Sequence, residues 1–153
     1  MINDHSVLEL KTEARQQSID VTDWVEETVR QVGLGQGIAT VFTQHTSCCV
    51  LIQEESEDVT YWNVQYILNA LQKIVPPARH EGQYLHPGPV HIRNAAELRG
   101  EEPAWGLNTD GHIIGSLIGR VQVVPVSDGN LTLGEFGRLY FGDLDSTRPR
   151  ESH

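Results

Sequence analysis

The stretch Val41–Glu55, VFTQHTSCCVLIQEE, decides the fold because it contains two short apolar segments separated by a polar break. The pattern predicts one β-strand over residues 38–43 and another over 48–53, with polar residues 45–47 between them. Both segments are too apolar to be solvated on two faces, so we expect them in the middle of a sheet. The polar residues between and after the strands indicate one wall of a small-molecule site, with the other wall near His112.

Composition and charge indicate one globular domain spanning residues 1–153. A hydrophobic content of 39% and a charged content of 21% exclude a disordered chain. The formal charge of -10, with no basic stripe, argues against a nucleic-acid partner. No apolar run approaches the roughly 20 residues of a membrane helix, and the start lacks a signal-peptide pattern, so we expect no membrane partner. Two cysteines are too few for the disulfide framework of a secreted protein, so we expect a reducing, cytoplasmic compartment. The adjacent Cys48 and Cys49 point to opposite faces of a strand, which disfavours a mutual disulfide and indicates small core residues.

The flanking sequence mixes helical and strand patterns. Strands are predicted over residues 7–12, 121–126, 131–133 and 139–144, with a hairpin turn at Asp128-Gly129. A first helix follows a cap at Asp20 or Thr22 and ends at Gly33. A second and longest helix begins after Ser56, has apolar residues at helical spacing from Val59 and Trp62 to Ile74, and stops at Pro76-Pro77. Residues 78–110 are interpreted as a long loop with a helical hint at 94–98, and residues 112–119 are ambiguous between helix and strand.

No nucleotide, redox or metalloprotease motif organises the sequence. The glycines at 33, 35 and 37 precede a predicted strand, not a helix, so they do not form a dinucleotide-binding turn. Neither Cys-x-x-Cys nor His-Glu-x-x-His occurs. The remaining candidates for chemistry are dispersed polar side chains: His45, Glu54, His80, Asn108, Asp110 and His112.

Each residue of the central stretch has a structural interpretation beside the functional one. His45 is consistent with an acid–base group or metal ligand, and equally with a strand-end histidine bonded to backbone. Glu54 is consistent with a base or ligand, and equally with a helix-entry carboxylate. Thr46 and Ser47 offer hydroxyls to a phosphate but are also ordinary turn residues.

The remaining candidates lie in the loop, beside the second apolar run and in the tail. The loop contains three histidines: His80, His86 and His91. They fit surface positions, with at most one or two in a site. His112 precedes an apolar run, so it lies near the core and is the stronger candidate. Arg148 and Arg150 are consistent with phosphate binding or with a solvated tail.

In order and spacing these pieces resemble the YjbQ-like family, small proteins associated with a secondary thiamine-phosphate synthase activity. The matching segments are 41–47 with 52–54, 108–119, 124–126 with 129–134, and 145–150. The first is similar to the family's His-Thr-[Ser/Thr]-Ala…Ile-Asn-Glu motif, and the second resembles Asn-x-x-Ala-His-Leu-Lys-Ala-Ser-Leu-x-Gly. The chain departs from the family at Ile114, where a lysine is usual, and at Glu135-Phe136-Gly137, where Thr-Trp-Gln is usual.

The resemblance implies an α+β domain with a mostly antiparallel, sandwich-like sheet and two main helices, assembled as a homotrimer. It implies a divalent metal, zinc or magnesium, held by His45, His80 and His112. The implied catalytic residues are His45, Glu54 and His112. The implied substrate contacts are Thr46, Ser47, Asn108, Arg148 and Arg150.

Two functions follow from the resemblance. The first is an enzyme on a small phosphorylated metabolite: a thiamine-phosphate synthase-like transferase that joins an activated pyrimidine diphosphate to a thiazole phosphate, or a metal-dependent hydrolase. In that hypothesis the metal neutralises the leaving diphosphate and Glu54 is a ligand or proton acceptor. The second is a non-catalytic trimer that holds a small ligand or metal in the same cleft, which the missing lysine at Ile114 favours.

Overall fold

The computed structural model describes residues 4–58 and 64–145. Its elements, in chain order, are β1 (Gln17–Asp20), α1 (Thr22–Gln31), β2 (Gln36–Phe42), β3 (Cys48–Glu54), α2 (Tyr66–Leu71), α3 (Pro89–Arg99), a 3-10 turn (Pro103–Gly106), α4 (Thr109–Ile118), β4 (Val121–Ser127), β5 (Asn130–Leu131) and β6 (Gly137–Asp143). None of the helices described is long and apolar enough to cross a membrane. The sequence predictions for Val59, Trp62, Arg148 and Arg150 lie outside the described residues.

The strands form two antiparallel sheets, as the sequence predicts for an α+β sandwich. The first sheet has the order β1-β6-β3 and the second the order β2-β4-β5. The predicted hairpin joins β4 to β5 through Asp128 and Gly129, with φ angles of 50° and 79°. Positive φ at both central residues is the geometry of a type I′ turn, which suits the right-handed twist of paired strands.

Two apolar cores lie on opposite faces of the first sheet. The core between the two sheets and α1 is formed by Val21, Val25, Val29, Val50, Val124, Val126, Leu131 and Leu139. The core beneath α2 and α4 is formed by Cys49, Leu51, Leu68, Val75, Ile114, Tyr140 and Leu144. Because neighbouring residues of a strand face opposite sides, Val50 of β3 belongs to the first core, and Cys49 and Leu51 belong to the second.

Two strand predictions are wrong. Residues 7–12 form no strand in the described structure, although the predicted alternation survives: Leu8 and Leu10 pack against the first core while their neighbours are exposed. The sequence also predicts 38–43 and 48–53 in the middle of one sheet, and the structure places β2 and β3 at the edges of different sheets. The apolar content of β2 misleads because Ile38, Thr40 and Phe42 form an exposed face in the single chain.

The helices also differ from their predictions. In the described part of the predicted longest helix, the structure has the shorter helix α2. The predicted loop contains α3, which starts with Pro89 at its first turn and ends at Gly100 with a left-handed φ of 64°. Proline at the start and glycine just past the end are strong boundary signals, but α3 has only Ala95 buried and lacks the apolar stripe that reveals a helix. The ambiguous segment 112–119 belongs to α4.

Thr22 tests how the junction between β1 and α1 is held. Its buried hydroxyl oxygen accepts a hydrogen bond of 2.8 Å from the backbone N–H of Leu139 in β6. Thr22→Val preserves the shape and leaves that N–H without its acceptor, so we expect a loss of about 1–3 kcal/mol in the free energy of unfolding, measured by urea denaturation.

The matched control is Thr28→Val in the same helix. The Thr28 hydroxyl donates to the carbonyl of Trp24 one turn earlier, which is an ordinary helical acceptor. This change should cost less than about 0.5 kcal/mol. Equal losses in the two variants would contradict the role of the Thr22 hydroxyl as the acceptor for the Leu139 N–H.

Candidate active site

The antiparallel pairing of β3 with β6 brings two separate segments to one end of the first sheet. Cys48 at the start of β3 pairs with Asp143 at the end of β6. The residues before β3 and after β6 therefore meet, and the N–H of Leu144 donates to the carbonyl of Ser47 at 3.0 Å. This end of the sheet contains three of the predicted site residues, His45, Thr46 and Ser47.

Helix α4 packs against the same end because two of its positions are glycine. A Cβ at Gly111 would lie 2.7 Å from the carbonyl oxygen of Leu144, and a Cβ at Gly115 would lie 3.1 Å from the carbonyl oxygen of Cys48. Contacts this short leave no room for a side chain without a shift of the backbone. The glycines therefore place the first turn of α4, with Asn108 before it and His112 within it, beside the strand ends.

A chain of hydrogen bonds connects the strand ends to α4. The imidazole Nδ1 of His45 lies 3.4 Å from the hydroxyl of Ser47, and that hydroxyl donates to Asp145 Oδ2 at 3.5 Å. The side-chain amide of Asn108 donates to the same carboxylate oxygen at 2.7 Å. Ser47, Asn108 and Asp145 are buried, whereas His45 is exposed. These hydrogen bonds thus connect a solvent-accessible imidazole to buried polar groups.

Three histidine rings gather beside the first turn of α4. The ring centroid of His86 lies 4.7 Å from that of His91 and 6.3 Å from that of His112, both nearly edge to face. The hydroxyl of Thr109 donates to the carbonyl of His86, which ties the loop before α3 to the start of α4. The three rings therefore come from the loop, from α3 and from α4.

Partial burial lowers the pKa of His86, and repulsion from His91 and His112 lowers it further. A lowered pKa favours the neutral ring, which has one donor and one acceptor nitrogen. His86 is therefore suited to accept a proton or a hydrogen bond near neutral pH.

An arginine from the N-terminal segment reaches the same turn. Arg15 Nη2 donates to both carboxylate oxygens of Asp110, at 2.8 and 2.7 Å. The Asp110 side chain is 0% exposed and the Arg15 side chain is 33% exposed. The carboxylate therefore orients a guanidinium that solvent can still reach. Asp110 also raises the pKa of Tyr84, second to the effect of burial.

The other predicted residues lie apart from this cluster or on its surface. Thr46 is exposed beside His45. His80 is exposed, and its Nδ1 lies 3.1 Å from the carbonyl oxygen of Glu81. Glu54 is exposed at the opposite end of β3, where it pairs with Gly137. Six residue steps separate it from Cys48, which is roughly 20 Å along an extended strand.

The implied metal site was compared with the described part of a single chain. Within residues 4–58 and 64–145, no three histidine, cysteine, aspartate or glutamate side chains are arranged to hold a metal ion. Both cysteines are buried free thiols. Burial, opposed by a hydrogen bond with the Gly142 backbone and reinforced by Asp143, raises the pKa of Cys49 to about 12. A thiol this weakly acidic is a core residue and not a nucleophile.

Sequence reasoning missed Asp145 and Arg15 and did not decide among the loop histidines. Asp145 directly follows the predicted strand 139–144, but the sequence did not pair that strand with 48–53, so nothing placed Asp145 beside Ser47. Arg15 had no signal, because its partner Asp110 lies far along the chain. The choice of His86 depends on the fold of the loop and on α3, which the sequence did not predict.

Arg15 and Arg138 form a matched pair that tests the buried carboxylate. Arg15→Met leaves Asp110 buried without its counter-ion, and we expect a loss of about 2–3 kcal/mol in the free energy of unfolding, below the fully buried range because Arg15 is a third exposed. Arg138 pairs with Asp20 and Asp23, which are 31% and 83% exposed, so Arg138→Met should cost about 1 kcal/mol or less.

Chemical denaturation at neutral pH measures both variants. Equal losses in the free energy of unfolding would mean that Asp110 does not require Arg15 as a counter-ion. The carboxylate would then not be what orients the Arg15 guanidinium.

Comparison with known proteins shows which family the chain belongs to. A curated protein from Archaeoglobus fulgidus, described as a UPF0047 protein, is 32% identical over 143 residues, covering 94% of this chain and 93% of its own length. The crystal structure of a YjbQ/UPF0047 family protein from Clostridium acetobutylicum is 31% identical with a TM-score of 0.69, covering 95% of this chain and 92% of its own. A hypothetical protein from Aeropyrum pernix K1 is 28% identical with a TM-score of 0.70, covering 95% and 90%. The sequence model described as UPF0047 protein YjbQ-like matches residues 6–153, and the chain belongs to that family, as its motifs predict.

Proposed function

We propose that this protein is an enzyme that binds a small phosphorylated metabolite at the first turn of α4. The observation that supports the proposal is that three imidazoles, from His86, His91 and His112, gather at this turn. Asp110 of the same turn orients the guanidinium of Arg15. Polar groups that distant segments bring to one helix turn are typical of a binding site.

The chemistry of this turn suits an anion. The free N–H groups and the positive end of the helix dipole favour negative charge at the start of a helix. Arg15 adds a guanidinium, which matches the geometry of phosphate oxygens. Asp110 balances the Arg15 charge, so the guanidinium would offer a phosphate directed N–H donors and not a net positive charge.

The reaction to test first is the one that the family resemblance implies. The ring nitrogen of a thiazole phosphate would attack the exocyclic methylene carbon of a pyrimidine diphosphate. A carbon–nitrogen bond forms, the carbon–oxygen bond to the diphosphate breaks, and pyrophosphate leaves with the electron pair. Arg15 and the histidines would stabilise the charge that develops on the leaving group. The imidazolium form of His45, exposed at the adjoining strand ends, would donate a proton to the departing pyrophosphate and become neutral. Thr46 would contact the substrate.

A divalent cation remains a prediction from the sequence. Because the described residues of one chain form no three-ligand group, no step of the proposed reaction passes through a metal. Glu54 likewise remains a predicted catalytic residue, and the single chain holds it far from His45. The assay should therefore be run with a chelator, with added magnesium and with added zinc, to test the cation separately.

Turnover of the purified wild-type protein is the direct test. Pyrophosphate release from the two phosphorylated substrates should fall roughly 100- to 10,000-fold in His45→Gln, because proton transfer by a positioned side chain contributes about that much. Arg15→Lys should raise KM about 10- to 100-fold, since a lysine keeps the charge but loses the fork of donors. His5→Gln, an exposed histidine of the N-terminal segment, is the control and should not change turnover.

His80→Gln and His86→Gln then decide which loop histidine serves the site. Turnover that survives His45→Gln would place the chemistry elsewhere. No turnover on a panel of phosphorylated metabolites, together with binding of pyrophosphate that Arg15→Lys weakens, would favour the non-catalytic binding protein.

We also propose that the chain assembles as a homotrimer through the outer face of the second sheet. In β2 and β4 the facing residues pair directly: Ile38 with Pro125, Thr40 with Val123, and Phe42 with Val121. The four large apolar side chains among them are between 47% and 63% exposed. A contiguous apolar face of this kind is unusual on a monomer, and a second copy of the chain presents the same chemistry.

Val123→Glu tests the assembly. In sedimentation equilibrium the wild type should have three times the 17.1 kDa mass of the chain, and the variant should dissociate because a buried, unpaired carboxylate is costly at an interface. Leu98→Glu is the control, since Leu98 is an exposed apolar residue of α3, outside this face. A monomeric wild type, or a Val123→Glu variant that remains a trimer, would contradict the proposed interface.

A further inference from the structure

The hydrogen bonds around Ser47 determine where the protons lie. The Ser47 side chain has one proton, and its oxygen lies 3.5 Å from Asp145 Oδ2 and 3.4 Å from His45 Nδ1. The hydroxyl can donate to only one of these two atoms. Which atom receives the proton decides the protonation of the histidine ring.

Asn108 resolves this choice. Its side-chain NH2 group has no acceptor atom, and it donates to Asp145 Oδ2 at 2.7 Å. Asp145 Oδ2 is therefore an acceptor in this arrangement. The Ser47 hydroxyl donates to that oxygen, and the Ser47 oxygen remains as an acceptor for His45.

We propose that Asp145 and Ser47 are positioning residues that hold neutral His45 in the Nδ1–H tautomer. The Nε2 lone pair is then directed away from the buried side chains of Ser47 and Asp145. The Nδ1–H then donates to Ser47, and Nε2 is the atom that takes up a proton from solvent and gives it to the leaving group of the substrate. This inference rests on the proposed function for its chemical purpose, but the tautomer is a property of the protein alone.

The tautomer matters because water favours the opposite one. A neutral histidine side chain in water prefers the proton on Nε2, which would leave the basic lone pair on Nδ1, facing Ser47. In a protein the partner of one ring nitrogen fixes the state of the other. A buried hydroxyl and carboxylate behind His45 would thus turn the basic nitrogen toward the solvent side, where a substrate can reach it.

Nitrogen-15 NMR of the histidine rings tests the proposal without substrate. Two-bond nitrogen–proton correlation spectra distinguish a protonated from an unprotonated ring nitrogen. They should be recorded about two units above the ordinary imidazole pKa of about 6.5. The His45 signals are identified by their loss in His45→Gln. We expect a protonated Nδ1 in the wild type, a shift to protonated Nε2 in Ser47→Ala, and recovery of protonated Nδ1 in Ser47→Thr, which restores the hydroxyl.

Two further variants distinguish an effect on the His45 tautomer from a general disturbance of the fold. Ser18→Ala removes a buried hydroxyl on β1 and should leave the His45 signals unchanged. Asp145→Ala removes the acceptor of the Ser47 hydroxyl, so Ser47 would donate to His45 and the ring would move to the Nε2–H form. If Asp145→Ala does not fold, the Ser47 pair still decides the question, because the ring signals of the other histidines report whether each variant is native.

The outcomes separate this proposal from the function on which it rests. A wild-type ring protonated on Nε2, or a ring that does not respond to Ser47→Ala, overturns the positioning roles whatever the turnover. A protonated Nδ1 that depends on Ser47, in a protein without turnover, supports the positioning roles and rejects the proposed reaction. When both hold, Ser47→Ala should lower kcat at least 10-fold with little change in KM, and Ser47→Thr should restore most of it.

Discussion

The antiparallel pairing of β3 with β6 is the constraint on which the site depends. Its register places Cys48 opposite Asp143. Ser47, just before β3, and Asp145, just after β6, therefore lie next to each other. The same pairing divides the two apolar cores, because successive residues of β3 face α1 on one side and α4 on the other. A slip of one residue would exchange the faces of β3 and separate Ser47 from Asp145. Core packing and site geometry therefore enforce the same register.

The start of α4 collects the polar groups because the helix can approach the strands so closely. Gly111 and Gly115 bring its backbone against the carbonyls of Leu144 and Cys48, and Ile114 fills the core between them. Arg15 reaches the first turn of α4 from a distant segment, and its guanidinium is held there by the buried carboxylate of Asp110. The electrostatics of the turn therefore depend on the packing of the N-terminal segment as well as on the helix.

Sequence reasoning recovered the parts of this molecule that depend on local order. The hairpin at Asp128-Gly129, the start of α1 and the inward and outward alternation of residues 7–12 all follow from rules that act over a few residues. It failed where partners are distant or apolar signals weak: α3 buries too little to show a stripe, and β2 looked central because its outer face is apolar. His45, Ser47 and Asn108 were predicted as site residues from their motifs. Asp145, which is hydrogen-bonded to Ser47 and Asn108, could be placed only from the pairing of β3 with β6. The position of His86 could be placed only from the fold of the loop and of α3.

The exposed face of β2 and β4 and the candidate site are physically continuous. Phe42 ends β2 three residues before His45, and the Arg120 guanidinium lies 5.7 Å from the centre of the Phe42 ring while donating to the carbonyl of Gln44. A copy of the chain that covered Phe42 would therefore also cover one side of His45. That contact would remove water from beside the imidazole and strengthen the charge interactions around it, because fewer water molecules remain to screen them. In such an assembly, a residue that lies far from His45 within one chain, such as Glu54, would be able to approach the His45 of another copy. In such an arrangement the apolar face is not separate from the chemistry, since assembly and the closing of the site are the same event.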